Sequence, residues 1–460
     1  MKFQAIKGVR DILPPESTVW NRVEQTAREV FGTFGFAEIR LPIFESTDLF
    51  ARSVGQETDI VSKEMFSFWD PFDKRLPYEI GSEEARMRGM NVQTPEEYGS
   101  LALGDKFQQV SLRPEATASV VRAYIEHGMQ TLPGNVKLYY IGPMFRRERP
   151  QKGRYRQFYQ IGAEVLGTSD APGIDAEVIE MLMSFFERLK LKGAALNINS
   201  IGDKNCRPAY VDKLRAELQK VCEQLGPDSQ RRIETNPLRV LDSKLEHEQP
   251  IIEKLPRIGE NLCADCRAHY AEVKQQLDLR GIQYQENWRL VRGLDYYMRT
   301  TFEITAPGLG SQNAVCGGGR YDGLVELLGG PTATKGIGFA IGTDRLVLSL
   351  QEAGGGETQG GPAGKAGGPD VYLAWFGAAA QSAAIGLARR LRDAGFVVEL
   401  PAVEMNFGKS LGLADRLKAR HAVIVGDDEL AAGVVTVKRL TDGTQQKFVE
   451  QELFSYLRAI

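Results

Sequence analysis

The chain has 460 residues, 42% of them hydrophobic, which is enough for about three domains with substantial cores. Its net charge of −3 and pI near 6.0 give no global attraction to nucleic acid, so any RNA contact must come from local basic patches. No apolar run is long enough to span a membrane, the N-terminus lacks a signal-peptide pattern, and an odd count of five cysteines favours reduced thiols in the cytosol over a disulfide framework.

The first part of the chain predicts helices separated by strands. Apolar residues recur at helical spacing, and proline and glycine mark the ends of several elements. The predicted elements are a helix over 14–34, a strand over 38–44 that Pro42 interrupts, a helix that opens at Pro114 and ends before Gly128, and a helix with the apolar stripe Val178, Leu182, Phe185 and Leu189.

A strongly basic segment lies over 145–158, between two apolar, strand-like runs. Six of the eleven residues from Arg146 to Arg156 are basic. Arginine presents a rigid fork of donors to phosphate oxygens, so a hairpin of this composition suits a polyphosphate. Arg146 and Glu148 would share one face of a strand, so one could hold a phosphate while the other accepts from a base amine. The alternative is a solvated basic hairpin.

From about 199 to 286 the sequence is helical and charged, with little strand character. This pattern predicts a helical module inserted into a sheet, whose strands resume at 288–291 and 301–305.

Three glycine-bearing segments surround or follow these strands. They are Arg292-Gly293, the run Gly317–Gly319 before Arg320, and a small-residue strand from Gly336 that leads into a helix with Arg345 in its first turn. Glycine lets a ligand or a neighbouring chain approach closely, and Arg345 indicates anion binding. Taken singly, each segment is also explained by a tight turn, a strand-end ion pair or packing.

The glycine-rich stretch 353–369 is typical of a flexible linker because it cannot bury apolar surface. Beyond it, strands and helices alternate, which predicts an α/β domain with a largely parallel sheet. The predicted order is strand 371–376, helix 380–394, strand 397–400, helix 409–418, strand 422–425, then a strand pair and a short helix.

Together these segments resemble the catalytic core of class II aminoacyl-tRNA synthetases, and more narrowly the bacterial histidyl-tRNA synthetase family. The segments 41–45, 145–160 and 336–345 are similar to the three motifs of the class. Four more are similar to segments particular to the histidine enzymes: 112–117 (LRPEAT), 291–297 (VRGLDYY), 318–322 (GGRYD) and 236–242 (NPLRVLD). The resemblance spans nearly the whole chain.

The resemblance implies an α+β fold, a class II antiparallel sheet flanked by helices, with a helical insertion and a C-terminal α/β anticodon-binding domain. The expected divisions are 1–198 for the first part of the catalytic core, with an extra insert over about 73–109, 199–286 for the helical insertion, 287–352 for the second part of the core, 353–369 for the linker and 370–460 for the anticodon-binding domain.

The resemblance also implies an activity. Such an enzyme joins L-histidine to ATP, forming histidyl-adenylate and diphosphate, and then passes the acyl group to the 3′ end of its tRNA. The first step needs charge stabilisation rather than proton transfer, which suits a chain with only four histidines. The expected partners are ATP, Mg²⁺ on the outer phosphates, L-histidine, the histidine-specific tRNA and a second copy in a homodimer. No membrane or DNA partner is expected, and the expected location is cytoplasmic.

Residue roles follow from the resemblance. Arg146 and Arg292 would act at the α-phosphate, and Gln151 would contact the tRNA acceptor end. The ATP-binding set is Arg146, Glu148, Arg154, Phe158, Arg292 and Arg345, and the histidine-binding set is Glu115, Ala116, Thr117, Gln160, Glu164, Tyr296, Tyr297 and Tyr321. A pocket that bonds both imidazole nitrogens would reject apolar analogues without an editing domain.

Several features depart from the pattern or leave alternatives open. About thirty extra residues lie between Phe72 and Val110, and Tyr159 stands where histidine is common in the family. No metal ligand set is expected in the protein, although Cys206, Cys222, Cys263 and Cys266 in the insertion leave a structural zinc open against simple thiol packing. The competing functions are a histidine-binding regulatory subunit of histidine biosynthesis that does not charge tRNA, and an adenylate-forming ligase with another acceptor.

Overall fold

The computed structural model describes residues 3–55, 58, 60–71, 107–294, 296–309, 313–352 and 368–459. The chain divides into two compact units, Met1–Ile12 with Val19–Gly356 and Leu13–Thr18 with Glu357–Ile460. Among the helices of the described ranges, none has the length and hydropathy of a membrane span.

The large unit is built on a mostly antiparallel sheet. Its strands are β1 (Ala37–Glu38), β2 (Phe44–Ser46), β3 (Phe66–Pro71), β4 (Phe107–Leu112), β5 (Val136–Phe145), β6 (Gln157–Gly167), β7 (Ala195–Ser200), β8 (Gln285–Glu286), β9 (Met298–Thr305), β10 (Ala314–Arg320) and β11 (Lys335–Gly342). Within the described residues, eight of them form a sheet in the order β1-β5-β6-β11-β10-β9-β7-β8, and β2-β4-β3 form a second sheet. Only the pairs β1–β5 and β7–β8 of the large sheet are parallel.

Two long helices cover the large sheet through an aromatic core. Phe31 of the first helix is fully buried and packs against Phe185, Tyr139 and Phe339. Within the described ranges, the α-helices of this unit are Glu16–Thr33, Thr47–Val54, Thr117–Glu126, Pro172–Arg188, Arg207–Lys220, Pro227–Thr235, Gln249–Ile252, Ala264–Leu279, Leu324–Leu327 and Thr343–Glu352, with a π-helical turn at Ile60–Glu64.

The helices between β7 and β8 have a core of their own. Tyr210, Leu214 and Cys266 are buried in it, and Val291 and Tyr297 from the returning chain join the same cluster. Glu248 is buried beside this core, where it accepts hydrogen bonds from Gly226 N–H (2.7 Å) and Ser229 Oγ (2.9 Å). The helical region therefore packs directly onto the segment that follows it.

A buried ion network ties the end of β10 to the helix Pro172–Arg188. Arg320 is 1% exposed and donates to Asp175 Oδ1 (2.6 Å) and Asp322 Oδ1 (2.8 Å). Asp322 also accepts from Gly336 N–H at 3.2 Å. Charges this far from water are tolerated only when each is matched by a partner.

The smaller unit is a three-layered α/β domain. Its strands are β12 (Val371–Trp375), β13 (Val398–Glu399), β14 (His421–Val425), β15 (Val435–Arg439) and β16 (Gln445–Phe448), and its helices are Ala378–Asp393, Phe407–Arg416, Asp427–Ala432 and Glu450–Arg458. The described strands pair in the order β13-β12-β14-β15-β16. The pairs β13–β12 and β12–β14 are parallel, and the pairs β14–β15 and β15–β16 are antiparallel. Their apolar side chains pack against the helices on both faces.

The structure corrects three predicted elements. The strand predicted over 38–44 is two short strands in different sheets, because the chain turns between them around Pro42. The strand predicted over 288–291 is a turn, and the strand at that sheet edge is β8.

The third correction concerns the helix predicted from Pro114, which begins only at Thr117. The Glu115 carboxylate accepts from the Thr117 and Ala118 N–H groups at 2.8 and 2.9 Å, so it caps the helix from outside. The expected insert over 73–109 and linker over 353–369 lie outside the described residues, apart from 107–109 and 368–369.

The Arg320 network predicts a large loss of stability on substitution. Arg320→Met would leave Asp175 and Asp322 buried without their counter-charge, at a cost of about 3–5 kcal/mol. Urea unfolding followed by tryptophan fluorescence measures the change. The matched control is Arg280→Met, which removes a partly exposed pair with Glu180 on the same helix and should cost less than about 1 kcal/mol. Equal losses in both variants would contradict the assignment.

Candidate active site

A cavity of about 200 Å³ opens over the middle of the large sheet, between the β5–β6 hairpin and strands β10 and β11. Three arginines from distant parts of the chain line it, Arg146, Arg292 and Arg345, together with Arg154. Glu148, Phe158 and Gln160 also line it. The structure thus brings together all six of the residues expected to bind ATP.

Arg146 is held in place at the cavity wall by its own neighbours. Its Nε donates to the Pro114 carbonyl at 2.9 Å, and its guanidinium carbon lies 5.2 Å from the centre of the Phe158 ring. Glu148 lies nearby, with its carboxylate 3.7 Å from Arg146 Nη1 and 3.4 Å from Arg154 Nη1. A guanidinium fixed in this way retains further N–H donors that can meet an anion.

Arg292 lies against the backbone of β10. Its Nη1 donates to Glu303 Oε2 at 3.0 Å, and its Nε is buried with no hydrogen-bond partner among the described residues. A Cβ at Gly317 would overlap the guanidinium, so glycine at that position lets Arg292 take the place it has in the cavity. Burial acts to lower the pKa of Arg292, but Tyr297 and Glu303 outweigh it and raise the pKa above its ordinary value. The side chain therefore stays cationic in the cavity.

The hairpin tip packs against the helix that carries Arg345. A Cβ at Gly153 would lie 3.2 Å from Leu348 Cδ1, and Lys152 Nζ lies 2.9 Å from Glu352 Oε1. Burial, followed by repulsion from Arg154, lowers the pKa of Arg345. Several like charges in one cavity favour a polyanionic ligand, because such a ligand offsets their repulsion.

Two buried carboxylates stand next to the arginines. Glu164 on β6 accepts from Thr117 Oγ1 at 2.8 Å and from the Tyr321 hydroxyl at 2.6 Å, and it is 1% exposed. Burial raises its pKa to about 8. Burial also raises the pKa of Glu115, although the N–H groups of Ala118 and Thr117 and the charge of Arg146 act against it.

Aromatic rings surround the carboxylates. The Tyr296 and Tyr297 ring centres lie 4.7 Å apart, and Tyr296 meets Tyr321 edge-on at 5.7 Å. A side chain at Gly336 would overlap the Tyr321 ring, and one at Gly338 would overlap the Glu164 carboxylate. The expected histidine-binding residues therefore lie together. Gln160 lines the arginine cavity as well, and its Oε1 is buried without a hydrogen-bond partner in the described ranges.

Ala116 and Gln151 are also expected site residues, and neither of them lines the cavity. Ala116 is buried in the start of the helix Thr117–Glu126 and offers only its backbone. Gln151 lies at the exposed hairpin tip, where it exchanges backbone hydrogen bonds with Arg154.

Three residues of this region were not predicted from the sequence. Glu303 lines the cavity opposite Gly317 in the β9–β10 register, and Asp344 Oδ2 accepts from Tyr159 N–H at 3.0 Å. The Tyr140 hydroxyl is buried without a partner in the part of the chain that the structure describes, and its pKa is raised by burial and then by Glu164. Strand register would have found Glu303, but no local pattern marks the other two.

Comparison with known proteins gives one family. A family model described as histidyl-tRNA synthetase matches residues 101–346, and one described as an anticodon binding domain matches 370–460. The histidine–tRNA ligase of Koribacter versatilis (strain Ellin345) is 51% identical over 460 residues, covering 99% of this chain and 96% of that protein. That of Solibacter usitatus (strain Ellin6076) is 49% identical over 457 residues, with 99% of both covered. The crystal structure of apo S. aureus histidyl-tRNA synthetase has a TM-score of 0.74 at 34% identity, covering 99% of this chain and 100% of that one.

The buried state of Glu164 predicts how stability depends on pH. Its pKa is about 8 in the folded chain against 4.5 ordinarily, so the folded state holds the proton more tightly. The free energy of unfolding should fall as pH rises from about 4.5 to about 8, by at most about 1.4 kcal/mol per pH unit from this group. Glu164→Gln removes this contribution to the pH dependence. Glu115 is present in both proteins, so its contribution cancels when the two unfolding free energies are subtracted. Parallel unfolding curves of the two proteins between pH 5 and pH 9 would contradict the prediction.

Proposed function

This chain belongs to the histidyl-tRNA synthetase family and is a class II enzyme that charges tRNA with histidine, and we propose that the reaction takes place at the arginine-lined cavity. One observation carries the proposal. Guanidinium groups from three distant segments line one cavity, the buried Glu115 follows Pro114, whose carbonyl holds Arg146, and the buried Glu164 lies on the same strand as Gln160 of the cavity wall. The cavity would hold the triphosphate, and the carboxylates would hold the amino acid.

The first step is attack by a histidine carboxylate oxygen on the α-phosphorus of ATP, with diphosphate as the leaving group. Arg146 and Arg292 would stabilise the negative charge that builds on the α-phosphate oxygens in the transition state. Both are fixed before substrate arrives, Arg146 by the Pro114 carbonyl and Phe158, and Arg292 by Glu303 and the β10 backbone. Charges that need no reorganisation at the moment of reaction are the most effective in catalysis.

The remaining cavity residues would bind the rest of the nucleotide. The adenine would stack on the face of Phe158 away from Arg146, with Glu148 accepting from its amine and Arg345 covering its other face. Arg154, which pairs with Glu148 in the structure, would move to the outer phosphates. Mg²⁺ bound with the triphosphate would neutralise charge on those phosphates. The residues fit such an ion, because Glu303 offers hard carboxylate oxygens in the cavity.

The amino-acid pocket would recognise histidine by charge and by hydrogen bonds. Glu115, Thr117 and Gln160 would hold the α-ammonium, and Glu164 with Tyr297 would bracket the imidazole nitrogens. Tyr296 and Tyr321 would complete the walls, with Ala116 at the base. An apolar side chain in this pocket would add no hydrogen bond to those that Glu164 accepts from Thr117 and Tyr321, and it would displace water from the remaining polar sites, which excludes it strongly.

In the second step the tRNA 3′ hydroxyl would attack the acyl carbon, with AMP as the leaving group. We propose that Gln151 contacts the acceptor end and that residues 370–460 bind the anticodon, after a linker over 353–369. We also propose that 1–198 and 287–352 form the catalytic core around an insertion over 199–286, and that the enzyme is a cytoplasmic homodimer.

The regulatory-subunit function is not favoured. The chain keeps Arg146, Arg292 and Arg345 on one cavity and matches an anticodon binding domain, and both features serve tRNA charging. Histidine-dependent exchange of diphosphate into ATP, followed by aminoacylation of total tRNA, separates the candidates. Exchange without charging would point to another acceptor, and binding of histidine without exchange would point to regulation.

The role of Arg292 predicts a large kinetic effect. Arg292→His should lower the rate of histidine-dependent diphosphate exchange by about 10²–10³-fold or more, because it removes a fixed positive charge from the α-phosphate. The control is Arg231→His, which changes an exposed arginine of the helical region that pairs with Asp228. Unchanged exchange in Arg292→His, with the fold intact by circular dichroism, would show that Arg292 is structural.

Glu164 should affect the two substrates differently. Glu164→Ala removes a hydrogen-bond partner of the imidazole, so the KM for histidine should rise by about 10–100-fold while the KM for ATP changes little. Steady-state exchange with each substrate varied in turn gives both values. Equal increases in both KM values would contradict the assignment of Glu164 to the imidazole.

A further inference from the structure

Four metal-ligating side chains meet where the helical region joins the large sheet. Asp203 and Cys206 follow strand β7, and Cys263 and Cys266 stand at the start of the helix Ala264–Leu279. One carboxylate oxygen and three sulfur atoms all lie within 4.8 Å of one another. Cys263 is partly exposed and the other three residues are buried.

The spacing of the four residues is regular. Asp203 and Cys206 are separated by two residues, and so are Cys263 and Cys266. Structural zinc sites commonly use two pairs at this spacing, which bring four ligands into a tetrahedron. The sequence analysis found only one close pair of cysteines. The structure supplies the second pair, with aspartate as one member, and it leaves Cys222 out of the cluster.

Each pair lies at the N-terminus of a helix. Cys206 directly precedes the helix Arg207–Lys220, and Cys263 directly precedes Ala264–Leu279. The positive end of the helix dipole favours the thiolate form of cysteine, which is the form that binds metals. The turn before Cys206 is shaped by Gly202, which has a φ of +66° and whose Cβ would lie 2.8 Å from the Cys206 sulfur.

The charges of the cluster also favour a cation. Arg299 faces the cluster from β9, with its Nη2 3.8 Å from Asp203 Oδ2, while Asp203 Oδ1 lies 3.5 Å from the Cys206 sulfur. Metal binding releases the thiol protons, and a divalent ion together with this guanidinium would nearly balance the charge of the carboxylate and the three thiolates that result.

We propose that Asp203, Cys206, Cys263 and Cys266 bind one Zn²⁺ ion that fastens the helical region to the sheet. Zinc with sulfur at about 2.3 Å would set the ligand atoms about 3.8 Å apart, so shifts of about 1 Å or less are enough to close the site. Three thiolates select zinc over magnesium or calcium, which prefer oxygen. The coordination is closed, so the role is structural.

The site would also support the amino-acid pocket. Arg207, one residue after Cys206, donates to the Tyr297 carbonyl at 2.8 Å. Tyr297 and Val291 pack in the same cluster as Cys206 and Cys266. A zinc ion at this junction would therefore hold the segment that carries both Arg292 and Tyr297. This role adds to the proposed function without being needed for the chemistry itself.

Metal analysis of the full-length chain tests the proposal. Protein purified under reducing conditions from zinc-supplemented medium should contain about one zinc per chain, and Cys263→Ser or Cys266→Ser should reduce this to about a tenth or less. Cys222→Ser is the matched control, because that thiol packs in the same helical region outside the cluster and should leave the zinc content unchanged. Replacement by Co²⁺ should give the sulfur-to-cobalt charge-transfer band and the visible absorption of a tetrahedral site.

Two further measurements keep the test decisive if the serine variants fold poorly. Asp203→Cys would convert the site to four thiolates, and this variant should retain zinc at higher chelator concentrations than the parent protein. A thiol count on the metal-free, denatured chain should find all five cysteines reduced. Three outcomes would each overturn the proposal. The wild-type protein could bind neither zinc nor cobalt, Cys222→Ser and Cys266→Ser could lose zinc equally, or a Cys263–Cys266 disulfide could be found in place of the metal.

Discussion

The site depends on close contact between charged or aromatic side chains and bare glycine backbone. Strands β10 and β11 carry glycine where a neighbouring side chain must lie flat against the sheet: Gly317 under Arg292, Gly336 under Tyr321 and Gly338 under Glu164. A single added methyl group would overlap the functional atoms in each case. The glycines weaken the strands, since glycine loses more conformational freedom on folding than other residues, and the surrounding core offsets that cost.

The two halves of the site have opposite electrostatic characters. The cavity half gathers guanidinium groups that are held by carbonyls, rings and Glu303, so that they are ready for a polyanion. The other half buries Glu164 and Glu115 among tyrosines, which raises their pKa values through burial. Gln160 on β6 lies between the halves. In the proposed reaction, the carboxylate half would hold the amino acid and the guanidinium half would hold the triphosphate.

Much of this arrangement could be predicted from the sequence because it depends on residue patterns within short segments. The predicted bounds agree with the observed ones within a few residues for the basic hairpin, for the strand that leads into Arg345 and for the alternating strands and helices after 370. Features fixed by tertiary contacts were not predictable. The helix at Thr117 begins late because Glu115 caps it, and Glu303 enters the cavity only through its register with Gly317. Asp203 was overlooked because nothing near it in sequence distinguishes it from an ordinary turn residue.

The connections of the helical region have a consequence for how such a protein can change over evolution. The chain leaves the sheet after β7 and returns at β8, and these strands are parallel neighbours with Asn197 opposite Gln285. The exit and the return are therefore about 10 Å apart, a distance that about three extended residues would span. A module attached through two adjacent ends can be lengthened, shortened or exchanged by recombination without rethreading the strands around it. The helical region can vary least where it packs on Val291 and Tyr297. Selection on the reaction would keep the residues of that contact constant.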